Sequence, residues 1–316
     1  MGAHVARALC AEGWSVRASV RDPAGPGARG IGDLPLEVVR CDLSSRETLA
    51  QATRGCDAIV HVAGLVKARS LEEYREVNAR GTERLLAAAA ESAPAALFLL
   101  VSSQAAAGPA RDGRPVAEGD PARPVSWYGL SKREAEEAVA REWKGPWIVL
   151  RPSVVYGPGD RGLLTLFAAA ARGFLPVPSG GSRIHLIFAA RAGLAIARAA
   201  ARPDLSGRAG FLCDPEPVTI RDLAGRLARL PRRRVRLVAV PDLLLRLAGA
   251  FETLRETLTR RSRPFNADKA REILAGDWVC DPAPMLSDLR LPPPPSLEDG
   301  LKETWDWYVR QGWLPL

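Results

Sequence analysis

The chain has 316 residues, enough to bury one large core, or one core with a smaller lobe leaning on it. Apolar residues make up 47% and charged residues 25%, the balance of a globular enzyme; no apolar run is long enough for a membrane span, and no signal peptide opens the chain. The formal net charge is +8, but the arginines are spread over helix faces and only PRRRVR (231–236) clusters, without aromatic interleaving. That pattern argues against nucleic acid and for attraction to anionic cofactors or substrates.

The first residues read as a helix with Val5, Leu9 and Cys10 on one face, ended at Glu12 and Gly13. Strand-like runs follow at 14–20, 36–40, 58–62, 96–102 and 147–155, separated by helical stretches at 46–53, 71–91 and 127–142. Such alternation implies crossover connections and a parallel sheet covered by helices on both faces, a Rossmann-type doubly wound α/β fold. After Tyr156 the pattern changes to loops, short strands at 184–188 and 235–240, and interspersed helices, ending in a proline-rich entry to a helix that Ser296 caps. We therefore expect a dinucleotide-binding domain over 1–155, with a returning segment near 184–213, and a smaller, mainly substrate-binding C-terminal α/β lobe over 156–316.

Five cysteines (Cys10, Cys41, Cys56, Cys213, Cys280) and three histidines (His4, His61, His185) are scattered, with no ligand or redox spacing. Reduced thiols in a cytoplasm, and no metal, are the expectation.

Chemistry concentrates in SWYGLSKREAEEAV, where Tyr128 and Lys132 stand four apart on a helix and so share a face. A phenol titrates near 10, and lowering it by roughly three units takes about 4 kcal/mol, within reach of a close ammonium aided by an oxidised nicotinamide. By itself the spacing is weak. Upstream, LFLLVSSQAAAG reads as an apolar strand ending in Ser102 and Ser103, which presents a hydroxyl at the carboxyl edge of the sheet where open α/β folds bind ligands. Strand-end Ser, helix-borne Tyr and its Lys then follow in the order a carbonyl-reducing site needs.

Together with DAIVHVAGLVKARS, VNARGTERLLAAA and LRPSVVYGPGD, these segments make the chain resemble the extended short-chain dehydrogenases/reductases, the NAD(P)-dependent epimerase/dehydratase family. The resemblance covers Gly2 to about Ala200. It implies Tyr128 as general acid/base, Lys132 as its electrostatic partner and ribose anchor, and Ser103 as the donor that polarises the substrate oxygen. It places Gly2, Arg21, Asp42, Leu43, Ala63, Gly64, Asn78, Lys132, Pro152 and Val155 around the cofactor. Asp42 would meet the adenine, a helix cap being its other reading, and Asn78 would hold the central sheet region together. At the end of the second family strand NAD-preferring members carry a carboxylate, whereas this chain has Val20 followed by Arg21, which favours NADP(H) over NAD(H) unless Arg21 merely pairs with Asp22.

Departures from the family narrow the reaction. Gln104 and Ala105 stand where its dehydratases carry an Asp-Glu pair, so acid-base elimination is not expected. Val154 stands where many nucleotide-sugar epimerases hold an Asn. What remains is similar to the 3β-hydroxysteroid dehydrogenase and dihydroflavonol reductase branch, and implies hydride transfer between NADP(H) and a secondary alcohol or ketone. Nucleotide-sugar epimerisation is the runner-up, and a catalytically idle binding protein on the same scaffold is the rival of another class. Gln104, Tyr156, Arg183 and His185 are candidate substrate contacts, although a loop Tyr and a strand His more often pack. In the family the helix carrying Tyr128 often pairs with its twin, which implies a homodimer.

Two features stand apart. The family's first strand and most of its Gly-x-x-Gly-x-x-Gly turn have no counterpart before Gly2, so the neighbours of a central strand are expected to lack a partner. The stretch DLLLRLAGAFETLRETLTRR (242–261) is expected to cover a pocket or core, with contact to a lipid monolayer as its alternative.

Overall fold

The computed structural model describes residues 1–259 and 265–314. Helix α1 (Gly2–Ala11) turns Val5, Ala6 and Leu9 inward and leads into strand β1 (Arg17–Val20). A short helix, α2 (Pro26–Arg29), precedes β2 (Glu37–Arg40), and α3 (Arg46–Thr53) starts where the Ser45 hydroxyl accepts the Thr48 N–H. Strand β3 (Ala58–His61) is followed by α4 (Leu71–Asn78), capped by Ser70, and α5 (Arg80–Ser92). The single helix expected over 71–91 is thus divided at Ala79, where the Thr82 hydroxyl bonds back to the Asn78 carbonyl.

Strand β4 (Leu97–Val101) is buried at every position, as an all-apolar run covered on both faces must be. It runs into the short helix α6 (Gln104–Ala107), and α7 (Trp127–Glu142) leads to β5 (Trp147–Pro152). The strand expected over 147–155 breaks at Ser153, beyond which β6 (Val154–Tyr156) leaves to pair with β9 (Leu186–Phe188). Next come α8 (Leu164–Ala171), β7 (Phe174–Pro178) and β8 (Arg183–Ile184), the last separated from β9 by His185. Helix α9 (Ala189–Ala199) and β10 (Arg208–Leu212) carry the chain back to β5. The lobe is completed by β11 (Val218–Thr219), α10 (Ile220–Leu227), β12 (Arg236–Val240), α11 (Asp242–Thr259), α12 (Ala267–Ile273), α13 (Ala283–Leu289) and α14 (Leu297–Arg310). Ser296 caps α14, as expected, by accepting the Asp299 N–H.

The main sheet is parallel throughout, in the order β10-β5-β4-β3. Against one face Val5 and Leu9 of α1 pack with Ala192, Ala195 and Ile196 of α9. Against the other, Leu49 of α3, Leu85 and Leu86 of α5, and Ala135, Ala138 and Val139 of α7 form a second core. Helices on both faces of a parallel sheet make this the expected doubly wound Rossmann-type fold. A third core joins Tyr156, Phe167, Leu175, Val177, Leu223, Leu301 and Tyr308, built almost wholly from the second half of the chain.

Strand β1 pairs in parallel with β2, and among the described residues neither joins the main sheet. Residues of β1 and of β3 line one open cleft of about 1700 Å³ that also reaches α1, the loops after β1, β2 and β3, and Trp307 and Trp313 of the lobe.

Candidate active site

The site begins with the end of β4. Ser102 lies inside, its hydroxyl donating to Glu136 Oε1 at 2.6 Å, and the next residue, Ser103, opens α6 by accepting the Ala105 N–H at 3.2 Å. Ser103 is close enough to the Tyr128 phenol to favour its ionised form, although no direct hydrogen bond joins the two side chains. Two anchors fix the first turn of α7, which carries that phenol. The Ser126 hydroxyl accepts the Gly129 N–H at 3.0 Å, and Asp268 of α12 accepts the Trp127 N–H at 2.9 and 3.0 Å. Gly129 lets α7 approach α6: a Cβ there would stand 2.3 Å from the Ala105 carbonyl oxygen, so no larger residue fits without moving one helix.

One turn on, Lys132 is buried, and its ammonium donates to the Val101 carbonyl at 2.8 Å. Asn78 ties this face to the loop after β3. Its amide donates to Leu65 O at 3.0 Å and to Ser131 Oγ at 2.9 Å, and its oxygen accepts the Leu65 N–H at 2.7 Å. Gly64 fills the remaining space, since a Cβ there would lie 3.1 Å from Asn78 Oδ1 and 3.5 Å from Lys132 Nζ. Asn78 thus joins a loop to α4 and α7, a more local task than holding the central sheet.

Beneath the three residues lies a feature the sequence did not reveal. Glu136, four residues beyond Lys132, forms a buried pair with Arg151 of β5 at 2.7 and 2.9 Å while accepting from Ser102. In REAEE it reads as one more solvated charge; its only hint is that it repeats the Tyr128-Lys132 spacing on the same face. The pair clamps β4, α7 and β5 together, so the two serines and the helix face are held as one unit.

Burial sets the electrostatics. Loss of water pushes the Tyr128 phenol up to about 12, against the nearby Ser103 hydroxyl, which favours its ionised form, with Glu272 raising it further. The same cause lowers Lys132 to about 8, with Glu136 opposing. An acidified phenol is therefore not a property of the chain alone, because Lys132 is turned to the Val101 carbonyl. The arrangement is one in which a proton sits firmly on Tyr128, beside a second hydroxyl donor, at the carboxyl edge of the sheet. It suits protonation of a developing alkoxide.

Of the residues expected around a cofactor, Gly2, Arg21, Asp42, Leu43, Ala63 and Gly64 line the open cleft. Asn78 and Lys132 stand directly behind Gly64. Pro152 is buried at the end of β5 and Val155 packs against the core, so neither faces the cleft. Asp42 is not a helix cap, since Ser45 takes that role; its carboxylate instead accepts Ser44 N–H and Oγ–H at 2.8 and 2.7 Å, which holds it below its usual range. Arg21 does not pair with Asp22, whose carboxylate accepts the Ala24 N–H, and among the described residues Arg21 has no ion pair. These residues fit a dinucleotide: a guanidinium and a carboxylate at the far end, a glycine wall, and an ammonium with one of its three N–H groups engaged.

The candidate substrate contacts divide. Gln104 is buried with its Nε2 donor unpartnered, beside Ser103. Tyr156 is instead a core residue of the lobe, 1% exposed and packed edge-on against Phe188. Arg183 spends its guanidinium on Asp277 at 2.6 and 2.8 Å. His185 is buried against Cys213 and Cys280, whose sulfurs are 3.5 Å apart. Sequence spacing gave no hint of this convergence, because the three residues come from separate segments. His185 Nδ1 already accepts the Cys280 N–H at 3.1 Å, which makes the cluster a packing junction among three segments. All five cysteines are free thiols.

Comparison with known proteins gives the family and the fold. The chain is 36% identical to a ceramide reductase of Caulobacter vibrioides over all of its own length and 93% of the relative's. It is 28% identical to a 2-alkyl-3-oxoalkanoate reductase of Stenotrophomonas maltophilia, over 84% of each. A solved dTDP-glucose 4,6-dehydratase from Streptomyces venezuelae, with NAD bound, superposes at a TM-score of 0.75 with 23% identity, over 99% of this chain and 95% of that one. Residues 1–205 match the NAD dependent epimerase/dehydratase family, and the chain belongs to that family of oxidoreductases.

Proposed function

We propose that the chain is an NADP(H)-dependent reductase that interconverts a ketone and a secondary alcohol on a largely apolar, lipid-like substrate. The observation that carries this reading is the placement of Ser103, at the end of β4, near Tyr128 on α7, with buried Lys132 one turn behind. Gln104 and Ala105 bring no carboxylate to the site, which argues against dehydration. The lipid-like substrate rests on the names of relatives, among them a ceramide reductase and a 2-alkyl-3-oxoalkanoate reductase.

When bound, the nicotinamide supplies or accepts the hydride. The chain's own groups do the rest. Ser103 and Tyr128 donate to the carbonyl oxygen, so negative charge develops against fixed donors, and Tyr128 passes its proton to that oxygen. Burial, which holds the phenol up at about 12, keeps the proton available for reduction. Lys132 keeps one N–H on Val101 and has two left for ribose hydroxyls. Gln104 Nε2 is free for a polar group next to the ketone. Arg21, which lines the cleft and has no ion pair among the described residues, would meet the 2′-phosphate that separates NADP from NAD.

The test is a panel of long-chain β-keto amides, 3-oxoalkanoates, steroid ketones and UDP-glucose, each assayed with NADPH and NADH. NADPH oxidation that depends on a lipid ketone is expected. Arg21→Ala is expected to weaken NADPH by about tenfold and leave NADH unaffected, as loss of one phosphate contact requires. Turnover of UDP-glucose alone would make the chain an epimerase. Equal losses for the two cofactors would remove the NADP assignment.

A further inference from the structure

Helix α11 (Asp242–Thr259) is turned the wrong way for a core helix. Leu243, Leu244, Leu247, Phe251, Leu254 and Leu258 are between 54% and 74% exposed. At about 100° per residue they fall within one arc of about 100°, a continuous apolar stripe facing outward. The opposite side holds α11 to the protein. Gly249 is so close to α12 that a Cβ would stand 2.8 Å from Ala270 Cβ, Asn266 donates to Glu256 at 3.2 Å, and Thr253 Oγ1 accepts the Ala267 N–H at 2.9 Å. Just before the helix, Leu237 and Val238 of β12 are also exposed, as is Phe174 of its partner β7. The expectation that this stretch covers a core is not met.

Charge says what such a face is for. Residues 232–263 contain nine arginines (Arg232, Arg233, Arg234, Arg236, Arg246, Arg255, Arg260, Arg261, Arg263) against Asp242, Glu252 and Glu256, a net +6 of the chain's +8. A leucine stripe flanked on the helix by Arg246 and Arg255, in a segment of net positive charge, matches the boundary between acyl chains and phosphates. A symmetric contact with a second copy would set two such basic segments against each other and is disfavoured. No described helix is long and apolar enough to cross a membrane, so α11 would lie in the plane of the surface.

We propose that this face docks on an anionic lipid surface, with the α11 stripe among the acyl chains and the arginines at the phosphates. The inference deepens the lipid-ketone reading and rests on it for its purpose. Partner helix α12 supplies Asp268 to the Trp127 N–H, one residue before Tyr128, so the docked face stands next to the turn that carries the phenol. An apolar substrate drawn from the bilayer has a short way to travel.

The experiment is co-sedimentation of the full chain with phosphatidylcholine vesicles, with and without phosphatidylglycerol. Binding to anionic vesicles is expected to exceed that to neutral ones by about tenfold or more and to weaken as salt rises. Leu247→Glu with Phe251→Glu is expected to lower it about tenfold or more, with the circular dichroism spectrum and turnover of a water-soluble ketone unchanged. Three results would overturn the proposal: no sedimentation with anionic vesicles, equal sedimentation of the charged variant, or a dimer in analytical ultracentrifugation that the same substitutions abolish. Vesicle binding without ketone turnover would remove the reductase reading alone, and turnover without vesicle binding would remove docking alone.

Discussion

Lys132 shows how much a single residue of the site gives up for its position. Its ammonium is buried and titrates near 8 instead of 10.5, mainly through loss of water. The unfolded chain therefore holds a proton between pH 8 and 10.5 that the folded chain releases. Stability rises with pH across that window, and below it the folded state is less stable by about 3 kcal/mol. Lys132→Met removes that penalty at nearly constant volume. In the cofactor-free protein it is expected to raise the thermal midpoint at pH 7, the gain fading between pH 8 and 10.5, while abolishing turnover. A lower midpoint at pH 7 would show that the hydrogen bond to Val101 outweighs the desolvation. Ser103, Tyr128 and Lys132 were legible in the sequence because two share a helix turn and the third ends an unmistakable apolar strand. Tyr156, Arg183 and His185 stayed open between pocket and packing for the opposite reason. Each side chain's direction depends on segments far away in the chain: Phe188, Asp277 and Cys280.

At the scale of elements, α7 is the working part, and it is held from three sides. Ser126 and Asp268 hold its start, Gly129 lets it press on α6, and Glu136 bonds Ser102 and Arg151 below. Removing one partner of a buried pair leaves the other charge uncompensated. Glu136→Gln is therefore expected to lower unfolding free energy by about 3 kcal/mol or more and to reduce kcat more than KM, since Ser103 and Tyr128 lose their common support. Chemical denaturation and steady-state kinetics check the two parts. An unchanged denaturation midpoint would mean that the pair contributes nothing net. Periodicity revealed α7 and α11 equally well as helices. It did not reveal that α11 shows its leucines to the outside, because an amphipathic pattern gives the angle between two faces and not which of them meets the protein.

In the whole molecule, the doubly wound architecture was plain from alternating strands and helices, and its divisions were not. The breaks at Ala79, Ser153 and His185 follow from side-chain bonds and from pairing with distant strands, neither of which local pattern contains. The cleft bordered by β1 and β3 is lined by Gly2, Arg21, Asp42 and Gly64, with Asn78 and Lys132 directly behind Gly64. In the proposed reaction hydride and proton go to the carbon and oxygen of one carbonyl, so a bound cofactor would have to bring its nicotinamide beside Tyr128. The most direct measurement is NADPH oxidation in the presence of a long-chain β-keto amide, by the native protein and by Tyr128→Phe, with NADPH affinity measured on both. The expected result is a fall in rate of about 10²- to 10⁴-fold at unchanged NADPH affinity, the range for losing a positioned proton donor. An equal rate from the phenylalanine protein would contradict a proton-donating phenol, and with it the proposed chemistry.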